Sequence, residues 1–360
     1  MKTLRLIAAG DICLQTRDGK RPFDKVREIL KNKDILFGNL ETVLSNRGKK
    51  AEKAVVLCSP PEKVSYLEDA GFDVLNTANN HIMDSGVEGF HDTLEVLRKV
   101  GLAFVGANDE PAKDHVILKK QGIRLGFLGY MEGGFELPEN NVWINRLEPA
   151  DIMRDIELIK EQCDFVIVSL HWGIENVFYP SSKQIELAHR LIDYGATVLL
   201  GHHPHVIQGI EEYKDGLIAY SLGNFQFEFN PKECIGKREK RTNQSIILSL
   251  EIEKNGLKDY DTIPVKIDRD FVPYIMNERE RKEILDFVLK ISNLIVRKQV
   301  NEKKWFEEIS EEYLCNNMKS WIVRIKRYGI KHLLQCIRWL LSPFVIRCYI
   351  GFLAKRLRRR

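Results

Sequence analysis

Three histidines in four positions, His202, His203 and His205, follow the apolar run Val198-Leu199-Leu200-Gly201 in GATVLLGHHPHVIQGIE. Imidazoles bind divalent metals and titrate near neutrality, and three of them at the end of a buried strand have little packing value. Metal binding or acid–base chemistry is the expectation. Other apolar runs end in the same way. Asp11 closes TLRLIAAGD, Asn39 and Glu41 follow DILFG, Asn80 and His81 end FDVLNTANNH, and His171 ends the run in DFVIVSLHWG, with Glu175 four residues further on. Ligands of α/β sheets collect outside the carboxyl ends of strands, so five strands that aim polar groups at one edge predict a single site. Its donors are carboxylates, amides and imidazoles without a thiolate. That set suits one or two ions of Mn, Fe or Zn better than copper or iron–sulfur chemistry. Two such ions, with Glu41 or Asn39 between them, would activate a water and clamp an anionic transition state. Taken singly, Asp11, Asn39 and Glu41 also read as turn or solvent-facing residues, and Asp84 with Ser85 and Gly86 reads as a helix start. His91, His115, His189 and His332 lie in strand or helix patterns without polar company and are read as structural.

Elements that alternate between strand and helix must position these groups. Strand patterns at TLRLIAAGD, DILFGNLE, FDVLNTANNH, DFVIVSLHWG and ATVLLGHH alternate with helical patterns that begin at Pro22, Pro61, Val87, Ile152 and Lys183. HVILKKQGIRLGFLGY reads as a hairpin, and GLIAYSLGNF, QSIILSLEIEKNG and DTIPVKID read as consecutive strands. The class is α/β, a mixed sandwich. The sandwich is expected over residues 1–270, a helical extension docked on it over 271–312, and a basic amphipathic tail over 313–360.

Composition separates that tail from the body. From Tyr313 onward there are twelve Lys and Arg and no acidic residue, so in a chain of net charge +4 the tail carries +12 and the remainder −8. Arg324, Arg327, Lys331, Gln335 and Arg338 fall on one stripe at 100° per residue, with Trp321, Ile325, Leu333 and Ile337 away from it. Arg338 and Arg347 interrupt the only candidate for a spanning run, and Pro343 breaks it, so the tail is expected to lie on an anionic membrane surface or to pack on the acidic body. It is too apolar for an arm that tracks phosphates, and Walker and dinucleotide fingerprints are absent, so no nucleic acid is expected. Seven scattered cysteines without a CxxC pair, and a beginning that enters a strand pattern without a signal-peptide core, point to a cytoplasmic body on the inner membrane face.

The ordered set GD, GNLE, NTANNHIMDSG, SLHWGIE, GHHPHVIQGIE and YSLGNF, spanning residues 4 to 230, resembles the CapA family of poly-γ-glutamate capsule biosynthesis, within the calcineurin-like metallophosphoesterase superfamily. The resemblance implies a metallophosphoesterase-like sandwich of two mixed β-sheets flanked by helices, here with a helical C-terminal extension. It implies that Asp11 and His205 hold one metal and that Asn80, His171 and His203 hold the other, with Glu41 and Asn39 near the bridging position. His81 is similar to the histidine that protonates a leaving group, His202 to an outer or substrate contact, and Glu175 to a group that orients an imidazole or a substrate ammonium. Phosphoesterases of this kind begin with Asp-x-His, where this chain has Asp11-Ile12-Cys13. One ion, two ions and a demetallated site therefore all stay open. So do two functions: a metal-dependent hydrolase or transferase acting on an anionic polymer or phosphorylated substrate, and a non-catalytic accessory protein that presents an acidic polymer to a capsule synthesis or export complex at the membrane.

Overall fold

The strand Leu4–Ile12 is buried along almost its whole length, because both of its faces are covered. In the computed structural model, which describes residues 2–17, 19–110, 115–133, 141–228 and 241–357, Leu4, Leu6 and Ala8 point to one side and Ile7 and Ala9 to the other. A strand covered on both sides reads as a continuous apolar run, which is how this one reads in the sequence. One of the seven cysteines, Cys234, and the last three residues of the basic tail, Arg358 to Arg360, lie outside the described residues.

Leu4–Ile12 sits inside an eight-stranded sheet. Its order is Pro273–Ile275, Gly256–Ile267, Gln244–Glu253, Leu4–Ile12, Ile35–Leu40, Val74–Asn76 and Ala103–Val105, with Asn224–Gln226 also paired to Leu4–Ile12. The second sheet has six strands in the order Ile210–Tyr213, Gly216–Ala219, Val198–His202, Phe165–His171, Ile123–Met131 and His115–Lys120. Both mix parallel and antiparallel pairs. One core cluster draws on the inner faces of both sheets, where Phe37 and Phe127 stack at 6.0 Å. Helices Val64–Ala70 and Gly86–Lys99 add Leu67 and Leu97 to the outer core of the first sheet. Pro149–Lys160, Ser182–Tyr194 and part of Glu278–Val296 cover the second. The expected sandwich of two mixed sheets flanked by helices is present, and it runs past residue 270 to the edge strand Pro273–Ile275.

Two local readings change. GLIAYSLGNF is not one strand: Gly216–Ala219 belongs to the second sheet and Asn224–Gln226 to the first, and Gly223, at φ 77°, makes the crossing. Pro343 does break the helical run, opening a new helix after a bend of 63°, but a further break precedes it at Gly329. Three helices result, Glu302–Tyr328, Ile330–Leu340 and Pro343–Leu357. The change of composition at Tyr313 falls inside the first of them. Trp305, Phe306 and Ile309 pack with Val345 and Cys348 of the last helix and with Val177 of the body.

Gly201 lies within Val198–His202, and its need is close approach rather than a turn. A Cβ there would stand 1.9 Å from the carbonyl oxygen of Tyr220. Gly201→Ala should lower unfolding stability by about 1–3 kcal/mol, as overpacking does. Urea denaturation checks this, and an unshifted midpoint would show that the two strands can separate at no cost.

Candidate metal centre

Strand register brings the polar ends together. Asp11 is level with Asn39 on one side and Asn224 on the other, Asn39 is level with Asn76, and in the facing sheet His171 is level with His202. The chain then leaves Val198–His202 through His203 (φ 91°) and His205 (φ 57°), two non-glycine residues in the left-handed region. Such strain, about 1–3 kcal/mol per residue, persists where surrounding structure imposes it, and it turns these two imidazoles back over the strand ends.

Asp11 and Glu41 are both 0% exposed. Asn39 donates from Nδ2 to Asp11 Oδ1 at 2.9 Å, His202 Nδ1 lies 3.2 Å from the same oxygen, and His205 Nδ1 lies 3.4 Å from Oδ2. Burial works against ionisation of Asp11, but hydrogen bonding and charge from His202 and His205 outweigh it and hold the carboxyl well below the usual range. Glu41 has no such donors: neither of its oxygens has a hydrogen-bond partner. Its Oε1 instead faces three imidazole Nε2 atoms, at 3.6 Å (His205), 3.7 Å (His171) and 3.8 Å (His81). Burial drives the Glu41 pKa well above the usual range, with His205 opposing the shift. Burial alone would lower His205, yet Glu41 and Asp11 push it up to about 10. Burial brings His203 down to about 4 and holds His171 well below the imidazole range, so both rings are neutral and able to donate a lone pair.

The remaining candidates take distinct places. Asn80 Oδ1 accepts from His171 Nε2 at 2.8 Å. Asn39 turns Nδ2 toward Asp11 and His171 while its Oδ1 accepts from Asn76, so it orients the site rather than offering it an oxygen. His202 is fully buried behind Asp11, and its ring faces Phe37 at 6.2 Å, away from solvent. Glu175 is exposed and stands with His203 and His205 in a group whose ligand atoms lie within 4.8 Å of one another; Glu41, His171 and His203, and Asp11, Glu41 and His205, form two further such groups. Cys13, two residues after Asp11, is buried with Leu57, Phe227 and Phe271 and supplies no ligand; burial pushes its thiol up to about 12.

Several residues escaped the sequence reading. Asp84 is not a helix cap: its Oδ2 meets His81 Nδ1 at 2.5 Å and its Oδ1 meets Lys53 Nζ at 2.6 Å, which fixes the His81 ring with Nε2 toward Glu41. Asn224 Oδ1 does the same for His205, at 2.8 Å from Nδ1. Asn76 and Asn79 tie the strand ends through Asn39 and Leu40. The quoted motifs contain all four, and the signal that marks them is a run of short polar side chains directly after an apolar strand. Tyr313, Asn316, Asn317 and Ser320 are a different case. They lie on Glu302–Tyr328 and share a cavity of about 210 Å³ with His203 and Glu175, a placement that no local pattern announces. Of the four histidines read as structural, none joins the site, although three have acidic neighbours: His189 lies 3.0 Å from Glu211, His332 3.5 Å from Glu52 and His91 3.9 Å from Asp109.

Carboxylate, amide and neutral imidazole donors around an unpartnered buried carboxylate fit a divalent cation. Residues 5–228 match the family described as bacterial capsule synthesis protein PGA_cap. The capsule biosynthesis protein CapA of Bacillus anthracis is 34% identical over 259 residues, which is 68% of this chain and 61% of that protein. The PGA biosynthesis protein CapA of Bacillus subtilis (strain 168) is 33% identical over 280 residues, 75% of this chain and 72% of that one. This chain thus spans less than two thirds of the first relative's length. A hypothetical protein from Thermus thermophilus superposes with a TM-score of 0.50, covering 73% of this chain and 99% of its own, at 18% identity, which is a likeness of fold alone. The matched segment contains every residue of the centre and ends before the C-terminal helices, and on that match the chain belongs to the bacterial capsule synthesis protein family, PGA_cap.

Proposed function

We propose that this chain is a divalent-metal-dependent hydrolase or transferase that acts on an anionic polymer or phosphorylated intermediate in the making or export of a capsule-like polymer of the poly-γ-glutamate type. One observation carries the reading: a completely buried Glu41 with no hydrogen-bond donor, ringed by three imidazole Nε2 atoms at 3.6–3.8 Å. Leaving an ionised carboxylate so placed costs several kcal/mol, and a bound cation removes that penalty. Asp11, Glu41 and His205 would hold one ion and Asn80, His171 and His203 a second, with Glu41 within reach of both. Such ions supply an activated water and a clamp for an anionic transition state. His81, held by Asp84, points Nε2 into the site, where it would protonate a leaving oxygen.

A second reading has its own support. Cys13 faces an apolar pocket rather than the site, which leaves the Asp11 side one imidazole short of the superfamily pattern and favours a non-catalytic accessory role, with the crevice binding an acidic polymer.

The C-terminal helices supply the place of action. Among the described residues no single helix is long and apolar enough to cross a membrane, and the pair Ile330–Leu340 and Pro343–Leu357, which together have the length and composition, bend by 63°. Leu334, Leu341, Ile350, Leu353 and Leu357 are more than half exposed on these helices, in a segment free of acidic side chains. Basic groups beside an anionic leaflet contribute about 1 kcal/mol each, and the exposed apolar face adds to that. These features support peripheral attachment to the inner membrane face.

The purified protein should contain about one or two equivalents of Mn, Fe or Zn, and His171→Ala with His205→Ala should lose most of it, as metal analysis reads; full loading of the double variant would remove the ligand assignment. Under the enzyme reading, His81→Ala and Asp84→Asn keep their metal and lose turnover of phosphoester or γ-glutamyl substrates by about 10²–10⁴-fold. A wild type that turns over nothing in such a panel, yet binds polyglutamate, would favour the accessory reading. Flotation with phosphatidylglycerol vesicles should occur, weaken with salt, and fall in the Ile350→Ser/Leu353→Ser double variant; equal flotation of both proteins would exclude this face as the anchor.

A further inference from the structure

A cavity of about 680 Å³ lies between the sandwich and the C-terminal helices, within the size range of small-molecule sites. Leu147, Trp172 and Leu187 of the body and Trp305, Phe306 and Phe344 of the helices make its surface mainly apolar. Its charged side chains balance: Lys183, Arg190 and Arg347 stand against Glu132, Glu186 and Glu302, and Arg347 is paired with Glu302 at 2.7 Å. Such a chamber selects on apolar length rather than on charge. It shares Gly173, Ile174 and Tyr313 with the smaller polar cavity that reaches Glu175 and His203. A wide apolar chamber thus adjoins a narrow polar one at the metal centre.

One helix joins this chamber to the exposed apolar surface. On Pro343–Leu357, Phe344 and Arg347 line the cavity, Val345, Cys348 and Gly351 are buried, and Ile346, Tyr349, Ile350 and Leu353 are exposed. A chain that leaves a lipid surface along this helix meets the cavity next. We propose that the cavity takes the aliphatic chain of an amphiphile and presents its anionic head to the metal centre, which makes a lipid-linked phosphate the substrate class. Only the head-group part rests on the metal-dependent reading.

The test uses full-length protein and butyl, hexyl and octyl phosphate below their micelle concentrations, with titration calorimetry before and after chelation. Affinity should rise roughly four-fold per added methylene, as burial of each CH₂ requires, and the dependence should survive chelation. Leu147→Trp and Leu187→Trp, which fill the chamber from the body side, should flatten it. Ile350→Ser/Leu353→Ser, on the outer face, should leave it unchanged. A terminally brominated octyl phosphate should quench tryptophan emission less in Trp305→Phe than in the wild type, a readout that needs no cavity-filling variant. Equal affinity for the three phosphates, full dependence in the filled variants, loss of dependence in the outer-face variant, or unchanged quenching in Trp305→Phe would each overturn the proposal. Unchanged affinity for each phosphate after chelation, with the length dependence intact, would count against the metal-dependent reading alone, because a head group held by the metal must bind more weakly without it.

Discussion

Burial of two carboxylates at the junction of two sheets is the constraint from which the rest of this molecule follows. Asp11 is held by Asn39, His202 and His205, whereas Glu41 is given no donor at all. A folded chain accepts an arrangement of that kind where a cation completes it, since removal of an ion from water is only repaid by close opposite charge. Around these two groups the neutral rings of His171 and His203 keep lone pairs free, and the proton that Glu41 and Asp11 hold on His205 is the one that a cation bound there would displace.

To hold these strand ends at one place, the backbone must come closer than side chains permit. Gly10 faces the carbonyl of Gly223, and Gly201 that of Tyr220, each where a Cβ would stand 1.9 Å from oxygen. The crossing from Gly216–Ala219 to Asn224–Gln226 runs through this gap and delivers Asn224 to His205. Left-handed backbone at His203 and His205 is the counterpart of that closeness. Hydrogen bonds from His203 N–H to Asp11, between His205 and Asn224, and from Asn176 N–H to Pro204 O hold that turn in place.

The C-terminal helices are part of the same body. Trp305 donates its Nε1 hydrogen to Tyr179 O at 3.0 Å, Arg327 reaches Ala54 O, and Tyr328 reaches Lys53 O, whose side chain in turn bonds Asp84. Helix Glu302–Tyr328, which leads into the exposed apolar pair, therefore touches the segment that orients His81 and also walls the cavity over His203.

Much of this was legible in the residues themselves. Apolar runs that stop abruptly at Asp, Asn, Glu or His identify strand ends, because a buried strand has no other reason to carry such side chains. Asp11, Glu41, Asn80, His81, His171, His203 and His205 could be assembled on that ground. The α/β class and the docking of Glu278–Val296 were legible through period alone. What side chains do to one another was not: whether Asp84 caps a helix or grips His81, and whether Asn39 offers oxygen or nitrogen, depends on partners more than two residues away. The break of GLIAYSLGNF between two sheets depended on a gap that only packed strands create. The basic segment, distinct by composition, reads as a separate tail, but helix Glu302–Tyr328 crosses its boundary because local propensity ignores net charge. By itself the sequence determined which chemical groups stand at the strand ends, since hydrophobic period is a local property. Only the tertiary structure decided that Glu41 has no donor and that Tyr313, Asn316, Asn317 and Ser320 wall the centre, since burial and proximity belong to the packed whole.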